Sequence, residues 1–320
     1  MMLPKKVKIV EVGARDGLQN ESRAATVAVR VELIRLLAAA GLTSIEAGSF
    51  VSAERVPQMA NSDAVLKAAL AFDAYAGGDS NTAAYPVECP VEYPVEYPVL
   101  VPNLRGLDAA LQAGAKHIAV FAAASEAFSR KNINCGVDES IERFAAVTER
   151  ALASNLRVRG YVSCALGCPY QGEVAAAEVA RVAGLLRDLG CYEISLGDTN
   201  GVGTPGKARA MLERVAEVVP VEQLAAHFHD TFGQALANIY AALQAGVRVV
   251  DTAVAGLGGC PFAPGAAGNA ATEDVVYMLD GLGIDSGVDL SKLRFAADFI
   301  CAKLERPNYS KAAVALANRS

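Results

Sequence analysis

Eight short apolar runs punctuate the chain, and stretches of helical period separate them. The runs lie at 8–12, 44–47, 99–101, 117–121, 158–163, 193–196, 224–228 and 249–254. Their length and β-branched content predict strands. Between them, Val31, Ile34 and Leu37 share a helical face that stops at Gly41, and Val179, Val182, Leu186 and Leu189 form a stripe ending at Gly190. Thr204-Pro205 reads as an N-cap and first helical residue. Asp138 can cap a helix running to about Ser154, and Leu236, Tyr240 and Leu243 repeat the pattern before Gly246. A further helix begins near Thr272. Strict alternation of this kind gives a parallel sheet covered by helices, either open or closed on itself. The polar residues decide between the two. Arg15-Asp16 follows the first run, Glu46 lies in the second, Asp198 follows the sixth, His227 and His229 end the seventh, and GLGGCPFAPGAAGN follows the eighth. Only closure sets the eighth run beside the first and gathers all of these at the C-terminal face, where such barrels keep their sites. The expected fold is therefore α/β: one (β/α)8 TIM barrel over 1–320, with an extra C-terminal helix at about 291–304.

One segment interrupts the rhythm. Over 86–97 the chain reads PVEC, PVEY, PVEY, with a proline every fourth residue. That spacing forbids helix and central strand. It predicts an inserted, exposed, extended loop at about 75–97, with Pro98 opening the third strand.

Composition narrows the function. Hydrophobic residues make up 52% and charged residues 20%, enough for a large core and too apolar for disorder. Net charge is 29 − 35 = −6, which argues against nucleic acid or an anionic membrane as partner. No apolar run approaches the ~20 residues of a membrane span. The opening MMLPKKVKIV enters a strand pattern by Val7, which leaves no room for a leader. Seven cysteines, an odd number, suit reduced thiols and a cytoplasmic location.

The chemistry centres on LAAHFHD, 224–230. Residues two apart on a strand share a face, so His227 and His229 stand side by side in an apolar setting. Either both are hydrogen-bonded core histidines or they ligate a metal, the commonest partner of neutral imidazole. Asp16 can add a carboxylate and Asn269 a carbonyl oxygen. Mixed O/N ligation with open positions suits Mg²⁺ or Mn²⁺, whereas a closed sulfur-rich zinc site is absent. Arg15 is a fixed cationic fork suited to a developing enolate oxygen, or else a salt-bridge partner of Glu46 or Asp198. Arg130, Lys131 and Asn132, after the fourth run, can meet phosphates or form a solvated turn.

EVGARDGLQNE (11–21), RGYVSCALGCPY (159–170), CYEISLGDTNGVGTPG (191–206), AHFHDTFGQALAN (226–238) and VAGLGGCPFAPGAAGNAATEDVVYML (254–279) resemble the 3-hydroxy-3-methylglutaryl-CoA (HMG-CoA) lyases. The arginine-aspartate-glycine opening alone marks only a wider barrel superfamily, including Claisen-type synthases. GLGGCP followed by GNAATED is more specific. The resemblance implies cleavage of HMG-CoA to acetyl-CoA and acetoacetate, as in leucine degradation and ketone-body formation. A lyase for another 3-hydroxyacyl-CoA, a related synthase and a silent binding barrel are the competing readings. The family's metal ligands fall on Asp16, His227, His229 and Asn269. Its catalytic positions fall on Arg15, Cys260, Asp198, Glu46 and His227, with Glu273 in support. Substrate contacts fall on Arg15, Gln19, Ser195, Thr199, Lys131 and Asn132. The implied partners are an acyl-CoA and a second subunit in a homodimer.

Overall fold

Eight parallel strands form one sheet, ordered β1-β8-β7-β6-β5-β4-β3-β2, in the computed structural model, which describes residues 3–75, 94–258 and 268–318. The strands are β1 (Lys8–Glu11), β2 (Gly48–Ser49), β3 (Val99–Leu100), β4 (His117–Ala123), β5 (Arg157–Ser163), β6 (Glu193–Asp198), β7 (Leu224–Phe228) and β8 (Val249–Thr252). The ladder of β1 on β8 runs from Lys8↔Val249 to Glu11↔Thr252. A parallel bridge, Glu11↔Ile45, brings the chain leading into β2 back onto β1 and closes the barrel.

The second strand differs from its expected place at 44–47. Those residues are extended and hydrogen-bond both ways, with Glu46 N to Glu11 O at 2.9 Å and Ala47 N to Pro98 O at 3.0 Å. The continuous two-residue ladder with β3 begins only at Gly48. The last copy of the proline repeat also departs from expectation. Val95 and Tyr97 are buried, and Glu96 bridges Ser44. These residues belong to the barrel wall, because Thr43–Ser44 needs a neighbour to bond its backbone. The rest of the expected loop, 76–93, lies outside the described residues.

Helices α1 (Val27–Ala39), α2 (Ser62–Tyr75), α3 (Leu104–Gln112), α4 (Glu126–Ile133), α5 (Val137–Ala153), α6 (Ala176–Asp188), α7 (Pro205–Val215), α8 (Ala235–Gln244) and α9 (Thr272–Gly281) surround the sheet. Thr26 caps α1 and Thr204-Pro205 opens α7. Asp138 does not cap α5. Gly136 does, and Asp138 lies in the first turn, where its carboxylate pairs with Arg181 at 2.7 Å. Beyond the barrel come α10 (Leu290–Leu304) and a second short helix, α11 (Lys311–Ala317).

The two faces of the strands differ in chemistry. Val158, Val162, Ile194, Leu196, Leu224, Ala226, Phe228 and Val250 join the large core shared with the helices. The alternate residues include Arg159, Tyr161, Glu193, Ser195, His227 and Asp251, all buried. Period-two alternation sends these into the lumen. The barrel is therefore oily between sheet and helices and polar within.

Candidate functional site

Asp16 is carried by a five-residue π-type turn, Gly13–Gly17, directly after β1. The buried Glu11 carboxylate shapes that turn by accepting from Gly13 N at 2.8 Å, and it also accepts from Val254 N at 2.9 Å and Thr272 Oγ1 at 2.6 Å. His227 is the penultimate residue of β7, and His229, just past the strand, is the partner of Asn269 in an antiparallel bridge. Asn269 Nδ2 donates to Asp16 Oδ2 at 2.9 Å. Candidate ligand atoms of Asp16, His227 and His229 all lie within 4.8 Å of one another. One ion can span them at ordinary metal–ligand distances of ~2–2.6 Å. The four residues expected to converge do so.

The surroundings fit a cation. His227 Nδ1 faces Asp251 Oδ2 at 3.2 Å, so a proton on Nδ1 leaves the Nε2 lone pair toward Asp16, 4.0 Å away. Burial lowers the basicity of His227, but Asp251 and then Asp16 outweigh it and raise its pKa. Burial and the neighbouring His227 push His229 down to about 4, so it is neutral near pH 7. Its buried Nδ1 has no hydrogen-bond partner of good geometry. Burial would raise the Asp16 carboxyl, but Arg15, His227 and His229 hold it at about 2. A charged carboxylate, a neutral His229 with an unsatisfied nitrogen, and His227, whose Nε2 a metal can claim in place of a proton, are a donor set suited to a hard or borderline divalent ion.

Beside the cluster, Arg15 spans two carboxylates. Its Nε donates to Glu46 Oε2 at 2.8 Å and its Nη1 to Asp16 Oδ1 at 2.7 Å. Glu46, not Asp198, is thus its salt-bridge partner beyond Asp16. Tyr161 OH donates to Glu46 Oε1 at 3.0 Å and accepts from Arg159 Nη1 at 2.8 Å. Arg159 forks onto Asp251 at 2.7 and 2.9 Å and also binds Glu193 at 2.6 Å. A polar ring therefore runs Asp16, Arg15, Glu46, Tyr161, Arg159, Asp251, His227 and back to Asp16. Sequence reasoning missed Tyr161, Arg159, Asp251 and Glu193. The available signal was a charged residue inside each of three otherwise apolar runs.

The remaining expected residues fall at varied depth. Ser195 Oγ donates to Asp251 Oδ2 at 2.7 Å, which joins it to the ring. Thr199 Oγ1 accepts from Cys164 N at 2.8 Å. Asp198 is fully buried, with Oδ2 held by Gly203 N at 2.8 Å and Oδ1 unpartnered, and burial pushes it up to about 6. Glu273 grips Ala255 N at 2.9 Å. Gln19 Oε1 is buried without a partner. Lys131 and Asn132 lie on the exposed end of α4, with the Lys131 ammonium 5.6 Å from the Tyr170 ring centre. Cys260 lies outside the described residues.

A closed (β/α)8 barrel with an O/N cation cluster and an adjoining arginine at the C-terminal ends of its strands defines the class: a barrel enzyme with a candidate metal centre. The chain belongs to the HMGL-like family, whose model matches residues 6–300. It is 56% identical over 313 residues to the mitochondrial hydroxymethylglutaryl-CoA lyase of Rattus norvegicus, covering 98% of this chain and 90% of that one. It is 54% identical over 316 residues to a 3-hydroxy-3-isohexenylglutaryl-CoA/hydroxy-methylglutaryl-CoA lyase of Pseudomonas aeruginosa, covering 99% of both. The crystal structure of hydroxymethylglutaryl-CoA lyase from Pseudomonas aeruginosa superposes with a TM-score of 0.90 at 53% identity over 100% of both chains. The resemblance read from the motifs thus extends along the whole chain.

Proposed function

We propose that this protein is a metal-dependent carbon–carbon lyase that cleaves HMG-CoA to acetyl-CoA and acetoacetate. The observation that carries the reading is the convergence of Asp16, His227 and His229 beside Arg15, in a chain more than half identical to lyases named for this substrate. The substrate's tertiary hydroxyl must lose a proton, its C2–C3 bond must break, and the acetyl-CoA enolate so formed must gain a proton at carbon. Asp16, His227, His229 and Asn269 would hold a divalent cation, Mg²⁺ or Mn²⁺ for such donors, and its charge would lower the pKa of that hydroxyl.

The chain's own groups supply the rest. His227 presents Nε2 to the site because Asp251 fixes the other nitrogen. Arg15 spends N–H donors on Glu46 and Asp16, and each terminal nitrogen keeps a second N–H for the enolate oxygen. Glu46 and Asp198 are fully buried, so they act through their neighbours: Glu46 aims Arg15, and Asp198 holds the 201–203 turn. Cys260, placed by the motif resemblance, is the proposed proton donor to the enolate carbon. Gln19, Ser195, Thr199, Lys131 and Asn132 are the proposed substrate contacts, with the two on α4 toward the CoA phosphates.

The test is an acyl-CoA cleavage assay with both products identified, run before and after EDTA and again after Mg²⁺ or Mn²⁺ is restored. Undiminished turnover in rigorously metal-free protein would refute the reading. A homodimer in the cytoplasm, serving leucine degradation, completes the proposal. Light scattering and cell fractionation test its first two parts, and a mitochondrial address like that in the rat enzyme's name is the competing outcome.

A further inference from the structure

We propose that Arg306, on the C-terminal strap between α10 and α11, is a positioning residue for the metal cluster, acting through Glu21 and the 254–258 turn on Asn269. The strap lies beyond residues 6–300, the part matched by the family model. It begins where Glu305 caps α10 in the left-handed conformation, at φ 54. That cap turns the chain back over the C-terminal face. Arg306 Nη1 then meets Glu21 Oε1 at 2.5 Å, and Nη2 donates to Gly256 O at 3.3 Å. Its guanidinium carbon sits 4.6 Å from the Tyr309 ring centre, and Tyr309 N donates to Ala255 O at 3.2 Å. Side-chain exposure is 9% for Arg306 and 15% for Glu21. The pair is therefore shielded enough to hold a geometry, unlike a solvated surface bridge.

The turn it grips needs holding. Ala255, Gly256 and Gly258 all have positive φ, at 56, 58 and 99°, a conformation that an alanine keeps only when its surroundings impose it. Glu21 Oε1 also accepts from Gly258 N at 3.2 Å, so one carboxylate oxygen joins the strap to the far end of the turn. From there the contacts lead directly to the site. Leu257 O accepts from Asn269 Nδ2 at 3.3 Å, and the same nitrogen donates to Asp16 Oδ2. A Cβ at Gly258 would lie 3.0 Å from Asn269 Nδ2, and one at Gly17 would lie 2.7 Å from Leu257 Cβ. The turn, the Asp16 turn and the Asn269 amide are thus in mutual contact. A shift of the 254–258 backbone cannot leave the amide in place.

The inference rests on the metal reading above, so its test includes a measurement made without metal. Arg306→Gln and Glu21→Gln each remove the charged pair, whereas Arg306→Lys keeps the charge and loses the fork. Amide exchange over 268–275 is measured in the metal-free proteins, and Mn²⁺ affinity is measured by electron paramagnetic resonance. The expected result is faster exchange at Ala270, whose N–H donates to Phe228 O at 3.3 Å next to Asn269, in both glutamine variants and a ~10–100-fold weaker Mn²⁺ Kd, with partial recovery in the lysine variant. Unchanged exchange and Mn²⁺ affinity, with only a lower Tm, would overturn the proposal and leave the strap as scaffold. If one glutamine variant does not fold, the other decides by the same criteria. A wild-type chain that binds no Mn²⁺ would sink the metal reading, while the exchange comparison would still decide whether the strap orders Asn269.

Discussion

Arg159 on β5 and Asp251 on β8 meet across the lumen of the barrel through two parallel hydrogen bonds of 2.7 and 2.9 Å. The two strands are not neighbours in the sheet, so the pair is a strut through the interior. Burial opposes the charge on Arg159, but Asp251, Tyr161 and Glu193 outweigh it and raise its pKa well above the usual arginine value. The same aspartate orients His227. One carboxylate thereby links the integrity of the barrel to the geometry of the candidate metal centre.

Arg159→Met should unfold the protein more readily, because it leaves the buried Asp251 and Glu193 carboxylates without their guanidinium. The expected loss is ~3–5 kcal/mol by urea denaturation. Asp251→Asn tests the other role. It should weaken Mn²⁺ binding by ~10–100-fold, the usual cost of removing the partner that orients a ligating histidine. Equal Mn²⁺ affinity in the asparagine variant would mean that His227 needs no such partner.

Arg15→Met should keep the metal and lose the chemistry. Its terminal N–H groups are the cationic donors beside the cluster, and removing one oxyanion-type donor lowers kcat by ~10²–10³-fold. Cys260→Ser should likewise retain Mn²⁺ but slow turnover and resist thiol alkylators. Wild-type kcat in the serine variant would release Cys260 from the proposed role.

Stability should fall with rising pH through Glu273. Desolvation, with Glu11 nearby, raises its carboxyl from 4.5 to about 8. The native chain then binds this proton more tightly than the unfolded chain does. The contribution is complete below pH 4.5 and is lost as pH rises through 8. Glu273→Gln keeps an acceptor for Ala255 N and carries no charge, so its Tm should decline less than the wild type's between pH 5 and 9. Glu11, pushed up to about 7 by burial, acts in the same direction and remains in the variant, so a residual slope is expected. Parallel Tm profiles for the two proteins would contradict the assignment.

Deleting Val87–Pro94 joins Pro86 to Val95 and spares the buried Val95 and Tyr97. That variant should fold and retain kcat. Extending the deletion through Tyr97 should abolish soluble expression, because it removes the backbone that pairs with Thr43 and Ser44. Loss of folding in the shorter deletion, seen by circular dichroism, would show that the earlier copies are structural too.

The sequence by itself determined the barrel and the convergence of the candidate metal ligands. Strand parity puts His227 and His229 together, and the strand count puts Asp16 and Asn269 beside them, because these are consequences of local period and chain order. It misplaced the second strand, because a strand of two ladder residues carries too short a pattern to locate its register. It also treated Val95–Tyr97 as loop, since proline spacing reports what a segment cannot be and not which neighbour it pairs with. Only the tertiary structure decided that Arg159 serves Asp251, 92 positions away, and that Tyr161 serves Glu46, 115 positions away. The physical reason is that burial tells each charge only that it needs a partner. Which partner it finds depends on the curvature that brings opposite walls of the barrel within hydrogen-bonding distance.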